Sequence, residues 1–198
     1  MYKRIILGLL ISLGLTINAL GADVRQQDRI LEQTQTPTGG DFTLQSVNGP
    51  VSTKDLRGKV ILLYFGYTMC PDVCPTSLSF MTQTLSGLTE EELENVVGIF
   101  VSVDPKRDTV ESLDKYVNYF HKNYIGVTGT EAEVAEVAKL YGAQYHEVEL
   151  KDSALGYSVN HSSVTYMIDT KGELKLIFPH ETHPSVMLEG LRYLMAEN

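Results

Sequence analysis

The sequence predicts an α/β fold with a central mixed sheet and helices on both faces, three layers in all. Three observations carry this. Two continuous apolar runs, Val60 to Phe65 and Val96 to Val103, are rich in β-branched residues and too short for helices, as expected of strands covered on both sides. Between them Leu78, Met81, Leu85 and Leu88 recur at i, i+3, i+7 and i+10, one stripe along a helix. Near the C-terminus Val164 to Asp169 and Glu173 to Phe178 flank Thr170-Lys171-Gly172, the pattern of a hairpin.

The elements follow in order. Met1-Tyr2-Lys3-Arg4 is a short basic start, and Ile5 to Ala22 carries no charge over 18 residues. Ala19-Leu20-Gly21 supplies the small residues that a signal peptidase needs. Residues 1–22 are read as an export signal. An uncleaved anchor is the rival, since 18 residues is about the lower limit for spanning a bilayer. Either reading puts the folded part outside the cytoplasm, in the periplasm or held at the inner membrane facing it. No Cys follows the apolar run, which argues against a lipid anchor. Residues 23–40 are polar and Gln-rich and end in Pro37-Thr38-Gly39-Gly40, the composition of a tether. The folded domain is assigned to residues 41–198.

Within it, Phe42-Thr43-Leu44 and Val51-Ser52 flank Asn48-Gly49-Pro50, predicting a small N-terminal hairpin. After the second apolar run, Asp108 and Glu111 have capping-box spacing, and Val110, Leu113, Val117 and Phe120 continue at helical spacing. A further helix is expected over Glu131 to Tyr141. Pro184 opens a last helix carrying Met187, Leu191, Leu194 and Met195. The order is strand–helix–strand–helix, an insertion, then strand–strand–helix. A βαβ unit joined to a ββα unit is the thioredoxin layout, so the fold expected is a three-layer, thioredoxin-like α/β domain with an N-terminal hairpin.

Composition narrows the function. The chain has 198 residues, 43% hydrophobic and 21% charged, enough for one ordinary core. The net charge is −9, and residues 23–198, which lose Lys3 and Arg4 and no anion, carry −11. So acidic a body repels phosphate, and no Lys/Arg cluster offsets it. This excludes nucleic acids and anionic lipid surfaces as partners. Membrane association is expected only through the N-terminal segment.

There are two cysteines, in Cys70-Pro71-Asp72-Val73-Cys74, just beyond the carboxyl end of the first parallel strand. Open α/β sheets bind ligands at that edge. In a helical turn, the i, i+4 spacing separates the α-carbons by about 6 Å, suited to a disulfide or to two thiolates on one ion. Pro75 is placed as the first helical residue and Cys74 at or near the N-cap, where the helix terminus favours the thiolate. The bland alternative is a static disulfide, but a loop of three intervening residues gains little from closure.

Of five histidines, His161 in Val159-Asn160-His161-Ser162-Ser163 immediately precedes the strand starting at Val164. That strand runs antiparallel to the first two, so His161 falls at the cysteine edge. Two thiolates and an imidazole make a soft S₂N set that suits Cu(I), Cu(II) with an added ligand, or Zn(II). Asp104 ends the second parallel strand at the same edge, to orient a ligand, meet a partner or simply form the turn before Pro105. His180 and His183 are placed on the surface, on the far side of the C-terminal hairpin. His121 and His146 have no identifiable partner, and Met69 is a soft neighbour of Cys70 assigned to core or rim packing.

Three stretches then bear on family. Gly58-Lys59-Val60-Ile61-Leu62-Leu63-Tyr64-Phe65-Gly66-Tyr67-Thr68-Met69-Cys70-Pro71-Asp72-Val73-Cys74-Pro75 resembles the signature of the Sco/SenC copper proteins. Val101-Ser102-Val103-Asp104-Pro105-Lys106-Arg107-Asp108-Thr109 and Val159-Asn160-His161-Ser162 resemble that family's other two blocks, in the same order. The resemblance implies a thioredoxin-like fold on the outer side of a membrane and copper held by Cys70, Cys74 and His161. Asp104 corresponds to the motif aspartate near the site. It further implies delivery of copper to the dinuclear copper centre of cytochrome c oxidase, reduction of the oxidase subunit's cysteines, or both. The partners implied are that copper-receiving subunit, a copper donor protein and a thiol-disulfide reductant.

Two other readings compete with copper carriage. Cys70 and Cys74 would serve an exported thiol-disulfide oxidoreductase as its redox pair. Against a generic version, no proline occurs between Pro105 and Pro179, so the cis-proline that thioredoxins set opposite their cysteines is missing. A peroxidase is the third reading, from the faint peroxiredoxin look of Val73-Cys74-Pro75-Thr76.

Overall fold

The computed structural model describes residues 37–151 and 153–197; the signal or anchor assigned to residues 1–22, and the tether up to residue 36, lie outside them. Among the described residues no helix is long and apolar enough to cross a membrane. Nine strands are described: β1 (Thr43–Ser46), β2 (Gly49–Ser52), β3 (Val60–Gly66), β4 (Val96–Ser102), β5 (Tyr124–Val127), β6 (Tyr145–Glu149), β7 (Tyr157–His161), β8 (Thr165–Ile168) and β9 (Leu174–Phe178). The α-helices are α1 (Val73–Ser86), α2 (Glu90–Glu94), α3 (Val110–Phe120), α4 (Glu131–Leu140) and α5 (Pro184–Ala196).

The central sheet has the order β5-β4-β3-β8-β9. β3, β4 and β5 are parallel, β8 is antiparallel to β3, and β9 is antiparallel to β8. Every residue of β3 and β4 is buried, which is why both read as unbroken apolar runs rather than alternating ones. Alternation shows instead in what each side chain meets. Tyr64 stacks on Phe100, which meets Tyr116 of α3 on one face; Phe65 meets Tyr141, at the end of α4, and Tyr166 on the other. Helices therefore cover both faces, as the sequence predicts.

Where the structure departs from the sequence expectations, local chemistry explains it. The α3 N-cap is Thr109, whose Oγ1 accepts from Ser112 N–H while Ser112 Oγ accepts from Thr109 N–H. Asp108 and Glu111 do not form the box; Asp108 is buried and turned to Thr68 and Ser102 instead. Helix α1 begins at Val73 with Asp72 as N-cap, so Cys74 and Pro75 sit inside the first turn. Proline is tolerated there because first-turn N–H groups have no partner within the helix. The same helix ends at Ser86, which leaves Leu88 in the following turn, buried all the same.

β5 and the β6–β7 hairpin fill the stretch left as an insertion. β5 carries Gly126, over which α3 crosses so closely that a Cβ there would lie 2.8 Å from Leu113 Cβ. Residues 37–40 run beside α4, where Gly39 N–H donates to Leu140 O and Tyr141 Oη donates to Gly40 O.

Candidate metal and dithiol site

Strand β3 runs out at Gly66, and residues 67–72 carry the chain from the sheet edge into α1. The close approach of α1 to that edge explains Gly66: a Cβ there would lie 2.7 Å from Cys74 Sγ and 2.9 Å from the Phe100 ring. Both cysteines are free thiols. Cys74 is wholly buried and Cys70 is 9% exposed, so one sulfur faces the interior and the other borders solvent. His161 arrives from the other side as the last residue of β7, paired with Tyr145, and Ser162 N–H donates to Gln144 O to hold that end in place.

The three side chains converge. His161 Nε2 lies 3.2 Å from Cys74 Sγ and 3.8 Å from Cys70 Sγ. All three donor atoms lie within 4.8 Å of one another, the one such group of His, Cys, Asp or Glu among the described residues. His161 Nδ1 lies 3.1 Å from Ser162 O. A carbonyl can only accept, so Nδ1 carries the proton and Nε2 presents its lone pair to the sulfurs. That is the tautomer a metal ligand needs, fixed by a backbone oxygen on the far nitrogen. A trigonal ion with bonds of about 2.2 Å spaces its ligands about 3.8 Å apart. The two distances from His161 Nε2 to the sulfurs stand near that spacing, and the softness of the set fits a thiophilic ion.

The sulfurs differ electrostatically as well as in exposure. The Cys74 S–H donates toward Cys70, and that bond pulls the Cys70 pKa down against the cost of its burial. Burial, reinforced by the neighbouring Cys70, pushes Cys74 up. The pair thus holds one proton tightly and releases the other easily. Beneath them the buried Tyr64 hydroxyl has no hydrogen bond of ordinary geometry, and burial raises its pKa too.

The remaining candidates are placed as follows. Asp104 stands apart from the sulfurs: buried, it binds Arg107 Nε and accepts from Tyr157 Oη at 2.7 Å. Its backbone oxygen also accepts from Arg107 and Asp108 N–H, closing the turn. Met69 is 44% exposed at the rim and packs in no core. His183 is exposed and caps α5 by accepting from Ser185 N–H. His146 is exposed beside Asn160, and His121 accepts from Asn123 N–H at the end of α3. His180 departs from the surface assignment: half-buried, its Nδ1 lies 3.0 Å from Ser77 Oγ, one turn along α1 from Cys74. Arg107, Tyr157, Tyr67 and Thr68 also bear on the site, and sequence reasoning missed them. Only the proximity of Arg107 to Asp104 offered a signal.

A thioredoxin-like domain whose sheet edge joins a free dithiol to a correctly protonated imidazole defines a dithiol protein with a soft-metal donor set. More narrowly, the chain belongs to the SCO1/SenC family, whose profile matches residues 31–196. It is 39% identical to an SCO2-like protein of Rickettsia conorii over 155 residues, 78% of this chain and 75% of that protein. Among solved structures it resembles Bradyrhizobium japonicum ScoI with copper bound, at 36% identity and TM-score 0.71, covering 79% of this chain and 98% of that one. It also resembles BsSco, in which a disulfide switch was identified and which is a member of the Sco family of cytochrome c oxidase assembly proteins. That match has 25% identity and TM-score 0.64, over 82% and 96% of the two chains.

Proposed function

We propose that this chain is an exported copper carrier that takes one copper ion as cargo on Cys70, Cys74 and His161. It then passes the ion to the copper-receiving subunit of cytochrome c oxidase. The carrying observation is the approach of His161 Nε2 to both sulfurs, with Nδ1 committed to Ser162 O. Three donors leave one side of an ion open, so an acceptor's thiolate can enter before the carrier's ligands depart. A closed four-ligand site would hold its metal instead. A copper relative and an oxidase-assembly relative support the cargo and the client. Export rests on residues 1–22, and Asp104 acts on the site through the hairpin that bears His161.

A second reading is favoured by the lowered Cys70 pKa and by the relative with a disulfide switch. The Cys70 thiolate would attack a client disulfide and release one client thiolate, forming a mixed disulfide. Cys74 would then attack Cys70, releasing the second client thiolate and leaving a Cys70–Cys74 disulfide. Two electrons pass to the client, and an external thiol reductant must restore the dithiol. Metal and redox chemistry exclude one another here, because the disulfide lacks the thiolates that hold Cu(I). No proline stands between Pro105 and Pro179, so the chain lacks the residue that builds a thioredoxin-type cis-proline platform, which weighs against a generic reductase.

The test is anaerobic transfer. The Cu(I)-loaded chain is mixed with the apo copper-binding domain of an oxidase subunit, separated, and both fractions are assayed for metal and thiols. Copper appearing in the client supports the carrier. Copper retained by the chain, with client thiols appearing only from the metal-free dithiol, would replace carriage with reduction.

A further inference from the structure

The loop between β4 and α3, residues 103–109, touches both halves of the site through different side chains. Asp108, 3% exposed, accepts from Thr68 N–H at 3.0 Å, from Thr68 Oγ1 at 2.5 Å and from Ser102 Oγ at 2.6 Å. Thr68 is two residues before Cys70, so this carboxylate fixes the segment that carries the dithiol. Four residues earlier, Asp104 binds Arg107 Nε and Tyr157 Oη. Arg107 then reaches across to the hairpin: Nη1 donates to Tyr157 O at 2.9 Å and to Leu155 O at 3.3 Å. Its guanidinium lies 3.7 Å from the Tyr157 ring centroid, a cation–π contact on a planar group suited to forked hydrogen bonding. Tyr157 opens β7, four residues before His161. Tyr67 closes the frame, since its hydroxyl accepts from Val159 N–H and its ring stands edge-on to His161 at 5.8 Å.

We infer that residues 103–109 form a two-armed bracket. Asp108 with Thr68 positions the dithiol limb, and Arg107 with Asp104 and Tyr157 positions the imidazole limb, the two arms meeting at Ser102, whose hydroxyl donates to Asp108 and accepts from Asp104 N–H. The β6–β7 hairpin forms its own two-stranded sheet, outside the central one, so its ladder alone does not set where His161 stands. The Arg107 arm supplies that register. Arg107, Tyr157 and Thr68 are positioning residues, acting through His161 or the cysteine segment. The inference rests on the ligand set proposed above.

The experiment compares Arg107→Met, Tyr157→Phe and Thr68→Val, each alone and combined with His161→Ala, in the reduced chain. Copper(I) affinity is read by competition with a chromophoric chelator. On the metal-free chain, the dithiol midpoint potential and amide exchange of residues 157–161 are also read. Arg107→Met and Tyr157→Phe should weaken copper about 10–100-fold, as expected for groups that orient a ligand. They should speed hairpin exchange and shift the midpoint potential only while His161 is present, since its ring lies 3.2 Å from Cys74 Sγ. In the His161→Ala background they should cost copper affinity nothing more. Thr68→Val should shift the potential, leave hairpin exchange alone, and keep its copper effect without His161. Equal copper loss from Arg107→Met with and without His161, or an unaltered hairpin, would overturn the bracket. Tyr157→Phe removes one hydroxyl and serves if Arg107→Met fails to fold. If the wild type takes up no copper, the ligand reading fails, while exchange and potential on the metal-free chain still decide the bracket.

Discussion

Burial divides the labour between the two sulfurs. Cys70 borders solvent and accepts a hydrogen bond, so its thiolate persists below the ordinary thiol range; Cys74 is sealed in and keeps its proton. An unperturbed thiol titrates near pH 8.5, and its alkylation slows about tenfold per pH unit below that. Because the Cys70 pKa is lowered, its iodoacetamide rate should stay flat as pH falls from 8 through 6, with mass spectrometry placing the adduct on Cys70. Cys74→Ala removes the donor and should bring the slope back toward that of a free cysteine. Gly66 offers a second check at this scale. Gly66→Ala drives a methyl to 2.7 Å from Cys74 Sγ, an overpacking expected to cost about 1–3 kcal/mol. Urea unfolding should show the lower midpoint with an unchanged slope.

Secondary-structure elements differ in how firmly they are anchored. β3 and β4 are buried along their whole length, whereas β6 and β7, Val159 apart, are exposed or half-buried and pair only with each other. Local opening favours elements with few buried contacts. Amides of residues 145–149 and 157–161 should therefore exchange well before those of residues 60–66. Copper binding to His161 should slow exchange at β7 selectively, and a uniform response of both sheets would contradict this. Capping gives a smaller effect: Thr109→Ala removes the Oγ1 acceptor of α3 and should cost about 1 kcal/mol.

Legibility in the sequence follows the same division. Val60–Phe65 and Val96–Val103 announce themselves because burial on both faces demands unbroken apolar residues. β6 and β7, as Tyr-His-Glu-Val-Glu and Tyr-Ser-Val-Asn-His, carry too little apolar content to stand out. Cys70, Cys74 and His161 were legible because few residue types do that chemistry and topology sets them at one edge. The bracket was not, because Arg107 and Tyr157 are ordinary surface types until the fold stacks one on the other.

For the whole molecule, the fold supplies a rigid sheet edge and brings two cysteines and a histidine 91 and 87 residues further along the chain to within ligand spacing. An ion bound by that set links residues 67–74 to the β6–β7 hairpin, so metal occupancy should report as global stability. With free copper(I) at about 100 times its dissociation constant, the gain is about 2.7 kcal/mol. Thermal unfolding under anaerobic conditions should show it in the wild type and lose most of it in His161→Ala. The most direct measurement is anaerobic copper(I) titration of the reduced chain beside Cys70→Ser, Cys74→Ser and His161→Ala, with competition for affinity. The expected result is one copper per chain in the wild type and greatly weakened binding in all three variants. A wild type that takes up no copper, or a variant set that binds as tightly as wild type, would contradict the S₂N site on which the carrier role depends.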